Sequence, residues 1–150
     1  MARYAQSFTR TAAAATTVGS FVASSATALR RGKLYELTVG CSAAPADNIF
    51  QWIVARITAA GTSTAVTPAA LDLADTAYLG LAGQNHTVEP TYTAGQTLLT
   101  IDLNQRATFR WVAAPYSELT YPATNASGFG IRTPTATALA VDAAALLEEQ

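Results

Sequence analysis

Apolar residues recur at every second position through most of this chain, the period of strands rather than helices. Residues 33–41 (KLYELTVGC) place Tyr35, Leu37, Val39 and Cys41 on one face and Glu36 and Thr38 on the other, which predicts a half-buried strand. Residues 49–58 (IFQWIVARIT) are more continuously apolar and read as a strand covered on both sides, with Phe50 and Trp52 in the core. Residues 98–103 turn Leu99, Ile101 and Leu103 inward and Thr100 and Asp102 outward. Residues 106–113 follow with Phe109 and Trp111 inward and Arg110 outward, so Asn104-Gln105 between them predicts a tight antiparallel hairpin. Residues 86–93 alternate weakly, and Pro90 cannot donate to a ladder, which assigns them to an edge or a bulge. Further strands fit 119–123 and 128–137, and 4–10 and 17–23 add one or two more.

Pro, Gly, Asn and Asp clusters at 44–48, 60–63, 94–95, 114–115 and 125–128 punctuate these runs as turns. The longer connection 67–83 predicts a short helix, started by Thr67 with Pro68 at its first position. Roughly eight short strands with frequent turns imply an all-β fold: an antiparallel two-sheet sandwich, of jelly-roll type, with an immunoglobulin-like sandwich as the near alternative. The division expected is an N-terminal arm over 1–32 with room for a first strand, a β-sandwich domain over 33–137, and a C-terminal tail or short helix over 138–150. That last segment, LAVDAAALLEE, has strong helix formers throughout.

Composition narrows the function. Ala and Thr supply 55 of 150 residues and charged residues 13 %, about half the usual share for a soluble domain. The charges are unevenly placed: residues 1–33 hold Arg3, Arg10, Arg30, Arg31 and Lys33 without an acid, whereas the rest carries four arginines against ten acids. Such a basic segment suits an acidic protein neighbour better than nucleic acid, because no run of like charge or interleaved aromatic platform is present. As a signal peptide the N-terminus is too polar, its apolar stretch holding Thr16, Thr17, Gly19 and Ser20 but no Leu or Ile. No apolar run is long enough to span a bilayer. The expectation is a product made in the cytoplasm, with no membrane partner.

Candidate chemistry is sparse. One Cys, Cys41, and one His, His86, exclude a disulfide framework and leave no Cys/His metal site. His86 lacks an elbow motif around any serine and reads as a hydrogen-bonded residue at a strand start. Cys41 ends an apolar face and reads as an inert thiol. Asp72 and Asp75 have no calcium-loop spacing, and no Gly-rich phosphate loop occurs. The expectation is no enzyme, cofactor, metal or small-molecule substrate.

Residues 104–137 (NQRATFRWVAAPYSELTYPATNASGFGIRTPTAT), together with 33–41 and 47–58 (DNIFQWIVARIT), resemble small structural proteins of tailed-bacteriophage heads, of the capsid-decoration or cement type. Pro122-Ala123-Thr124 followed by Gly128-Phe129-Gly130 resembles the closing hairpin of that group. The resemblance implies a virion protein on the outside of an icosahedral shell. Its partners would be the major capsid protein and other copies of itself, as a homotrimer. Candidate capsid or subunit contacts are Arg3, Tyr4, Phe8, Arg10, Arg30 and Arg31 on the arm and Leu146 and Leu147 on the tail. Deleting residues 1–10 would then weaken attachment and leave the sandwich folded. The alternatives are a phage tail or tail-fibre module, and a carbohydrate-binding sandwich using Tyr92, Tyr116 or Tyr121.

Overall fold

The computed structural model describes residues 1–150, apart from the side chain of Ala12. All elements are strands: β1 (Ala2–Ala13), β2 (Thr16–Val22), β3 (Gly32–Ala43), β4 (Ile49–Ala59), β5 (Thr62–Val66), β6 (Ala69–Ala70), β7 (Leu81–Val88), β8 (Thr91–Asn104), β9 (Phe109–Val112), β10 (Leu119–Tyr121), β11 (Gly128–Thr133) and β12 (Leu139–Glu149). They form two antiparallel six-stranded sheets. One runs β10-β3-β12-β1-β6, with β9 also on β3; the other runs β5-β7-β2-β11-β4-β8. The chain crosses between sheets eight times, at β1–β2, β2–β3, β3–β4, β5–β6, β6–β7, β8–β9, β10–β11 and β11–β12, and the order β1-β12-β3-β9 in one sheet nests with β2-β11-β4-β8 in the other.

The core lies between the sheets, where the inward residues of both faces interdigitate. Phe8 and Phe21 meet edge to face at 5.2 Å, Tyr121 and Phe129 at 5.3 Å, and Phe50 and Trp52 at 6.0 Å. Gly19 is required where β2 faces β1, since a Cβ there would fall on the Phe8 ring.

Both ends differ from the sequence expectation. Residues 1–32 are not an arm: β1 and β2 are integral strands of opposite sheets. The C-terminal segment is not a helix; no helix forms among the described residues, so none is long and apolar enough to cross a membrane. β12 lies between β1 and β3, with Leu139, Val141, Ala143, Ala145 and Leu147 inward and Asp142 and Ala144 exposed. Its helix-forming composition is overridden because two long antiparallel neighbours satisfy every second backbone group on each side, and alanine fits the narrow space between them. The helix expected within 67–83 is likewise absent; β6 pairs with Tyr4 and Ala5 of β1 instead.

A bulge corrects the phase of β3. Leu146 pairs with Glu36 but Leu147 with Leu34, leaving Tyr35 as the extra residue. Leu34, Leu37 and Val39 are therefore buried, while Tyr35 is half-exposed beneath the Arg3 guanidinium at 5.9 Å. Asn104-Gln105 makes no hairpin. The turn closed by Ala107 N to Asn104 O (2.9 Å) carries the chain from β8 in one sheet to β9 in the other. Leu99, Leu103 and Trp111 are consequently only half-buried and Phe109 is 43 % exposed, because all four sit on sheet edges. Phe50, Trp52, Ile101, Leu37 and Val39 are buried as expected.

Candidate functional site

Of the expected contact residues, Tyr4, Phe8 and Leu147 are no more than 1 % exposed and belong to the core, not to a contact surface. They alternate with outward residues on β1 and β12, and the arm and tail assignments had no sheet against which to set that phase. Arg30 and Arg31 are exposed and Leu146 half-exposed. Arg3 lies 3.6 Å from Glu148, and Lys33 lies 3.7 Å from the same carboxylate on the other side of β12. Among the expected sugar-binding tyrosines, Tyr121 is buried, with its hydroxyl 2.9 Å from that of Tyr78; Tyr116 is fully exposed.

The densest polar cluster sits on β2, β7 and the β7–β8 corner, around residues whose side chains point away from the core. Asn85, at φ 50°, kinks β7 where its pairing with β5 shifts. The kink brings His86 Nε2 to 3.0 Å from Ser20 Oγ. Arg10 Nη1 donates to the Thr17 carbonyl (2.9 Å) and Nη2 to that of His86 (3.2 Å). Glu89 accepts from the Thr17 amide (2.9 Å) and hydroxyl, and the Tyr92 hydroxyl is 2.6 Å from Thr17 Oγ1. Arg132 covers the Tyr92 ring at 4.7 Å.

This geometry fixes the electrostatics. Burial pushes the His86 pKa below its ordinary 6.5 and outweighs the opposing Glu89 charge. Burial likewise pushes Tyr92 up to about 12, despite the Thr17 hydrogen bond and the Arg132 charge. A serine within reach of a neutral imidazole has the spacing of a nucleophile and base. His86 Nδ1, however, has no hydrogen-bond partner to orient the ring, and Glu89 is engaged by Thr17. The cluster joins β2, β7 and the Glu89–Tyr92 corner, and Arg10 ties β1 to them.

A stability consequence follows from His86, the chain's single histidine. Its folded pKa lies below its unfolded value, so its neutral form is matched in both states above pH 6.5. As pH falls below that value the unfolded chain gains a proton that the folded chain refuses, and stability declines until the folded pKa is reached. Melting temperatures between about pH 7 and 5 should therefore fall more steeply for the native chain than for His86→Gln. Parallel slopes would remove His86 as the responsible group.

A groove of about 290 Å³ adjoins this cluster, lined by Ser20, Ser63, Gly61, Leu81 and Gly83. Gly83 is needed there, as a Cβ would fall on Ser63 Oγ. A larger groove, about 390 Å³, crosses the other sheet over Ser7, Thr9, Thr38, Gly40, Thr108 and Asp142. Cys41 lines it, its thiol pKa raised by burial and then by Asp142. No group of three or more potential metal-ligating side chains comes together among the described residues. The sequence alone did not show the Thr17–Glu89–Tyr92 contacts or the burial of Glu148 and Glu149, because the partners lie seventy or more residues apart. No protein-family model, curated protein or solved structure matches the chain.

Proposed function

We propose that this chain is a virion structural protein of the capsid-decoration type, a non-catalytic sandwich that binds the outside of a phage shell and reinforces it. The observation that carries the reading is the surface. Ile49, Leu71, Leu73, Phe109, Val112 and Tyr116 are all at least 43 % exposed, with Leu73 and Tyr116 at 98 % and 100 %. Large apolar side chains in such number, on a surface with little charge, suit contact with neighbouring subunits. Low charge also limits the desolvation cost of broad contacts. The nested strand order supports jelly-roll winding, in which a folded ribbon of paired strands wraps across two sheets. Major capsid protein and further copies of this chain are the partners in this reading.

The test is binding to expanded capsids of the phage whose genome carries the gene. A fixed copy number per shell, set by a symmetry site, is expected. Retention on polysaccharide with no capsid binding would instead select a carbohydrate-binding module.

A further inference from the structure

We propose that two copies of this chain join edge to edge through β8, antiparallel about a two-fold axis centred on Ile101, making one continuous sheet. The inference does not depend on the capsid reading. β8 pairs only with β4, and no hydrogen bond from any other element reaches its backbone over 97–103 among the described residues. An edge of this kind offers unpaired N–H and C=O groups to another strand. Natural edges are protected by charged side chains, lysine above all, by proline, by inward charge or by bulges. Residues 97–103, TLLTIDL, contain no lysine, proline or inward charge; their protection is limited to one bulge, at Leu98, and one outward charge, Asp102, which accepts from Gln51 Nε2 at 2.8 Å.

The edge is also where the core is open. Val54 pairs with Leu99 but Ala55 with Thr97, so Leu98 is a bulge residue. Leu98, Leu99 and Leu103 all pack against the core yet stay half-buried, as does Trp111 on the adjacent edge strand β9. A partner strand would complete their burial.

Charge and parity select a second copy and fix the register. With Ile101 opposite its symmetry mate, Leu99 faces Leu103 and Leu103 faces Leu99 on the inner side. On the outer side, Thr100 and Asp102 face each other twice, a hydroxyl beside a carboxylate. Residues directly opposite share a face in an antiparallel ladder, so Leu99, Ile101 and Leu103 meet only apolar side chains, while the bulge residue Leu98 falls opposite Asn104. Moving the axis to Thr100 would set Leu98 against Asp102, and moving it to Asp102 would oppose two carboxylates. The chain's own strand is thus complementary to itself in one register.

The test is sedimentation of the full chain at increasing concentration, to about 100 µM. A monomer–dimer equilibrium is expected. Thr100→Asp places two like-charged pairs across the axis and should weaken dimerisation about tenfold. Thr100→Lys should strengthen it by facing Asp102. The double exchange Thr100→Asp/Asp102→Thr restores one hydroxyl and one carboxylate in each pair and should recover the native affinity. Both positions are exposed, and unchanged circular dichroism and melting temperature would confirm folding of each variant. A chain that stays monomeric throughout, or an oligomer such as a trimer whose mass ignores Thr100→Asp, would overturn the proposal. Neither outcome bears on capsid binding, which is read separately.

Discussion

A chain lacking residues 1–10 is expected not to fold. The deletion removes most of β1, whose Arg3–Arg10 segment pairs continuously with Val141–Glu148 of β12. It takes away Tyr4 and Phe8, both fully buried, and the Arg10 guanidinium that holds the Thr17 and His86 carbonyls. An arm that orders only on a partner would leave circular dichroism and melting unaltered when removed; here both should collapse. Phe8→Ala alone tests the same point more gently. Its ring fills the space over Gly19 and meets Phe21, so truncation should cost about 3–5 kcal/mol, the usual range for a buried phenylalanine. Denaturant titration of the variant would show this as an earlier midpoint at similar slope. A loss below about 1 kcal/mol would mean that the segment is not core.

The second large effect is expected at the other terminus. Glu149 Oε2 accepts from the Leu79 amide at 2.9 Å and Oε1 from the Gly80 amide at 2.8 Å. One carboxylate thus anchors the entry to β7 and the Tyr78 side chain, which touches Tyr4, Phe21 and Tyr121. Hydrogen bonds to a charged acceptor contribute more than neutral ones, and Glu149→Ala leaves two partly buried amides without a partner. The expected loss is about 2–4 kcal/mol, with Glu149→Gln retaining part of it because its single carbonyl oxygen still accepts. Hydrogen exchange should speed up first at Leu79 and Gly80. If those amides stay as protected as before, the latch is not what holds the segment.

The two ends also explain the charge pattern. Two of the five basic residues before position 34, Arg3 and Lys33, meet an acidic side chain, and it belongs to the chain's own C-terminal strand. β1 and β3 flank β12, and Arg3 and Lys33 reach Glu148 from opposite sides. A one-dimensional reading sees a cationic head and an anionic tail 115 or more residues apart. Only strand pairing turns them into a local network.

Along the chain, alternation sufficed wherever a strand had large residues on one face and polar ones on the other. Leu37, Val39, Phe50, Trp52 and Ile101 were legible for that reason, as was the two-sheet antiparallel class. The Arg110–Glu36 pair, which holds the Glu36 carboxyl below its ordinary pKa, joins outward residues of β9 and β3 that the same alternation identifies. Where alanine fills both faces, as in β12, contrast vanishes and helix propensity gives the wrong answer. Where a bulge adds a residue, as at Tyr35 and Leu98, the phase slips without any mark in composition.

By itself the sequence determined the all-β class, four of the five expected turns (94–95 lies inside β8) and the core positions Leu37, Val39, Phe50, Trp52 and Ile101, because these depend on residues within a few positions of one another. The tertiary structure decided which strands are central and which are edges. It therefore decided that Tyr4, Phe8 and Leu147 are interior while Leu99, Leu103, Phe109 and Trp111 remain partly open. The physical reason is that an inward residue is covered most completely where strands flank it on both sides, and for β1 and β12 those neighbours come from opposite ends of the chain.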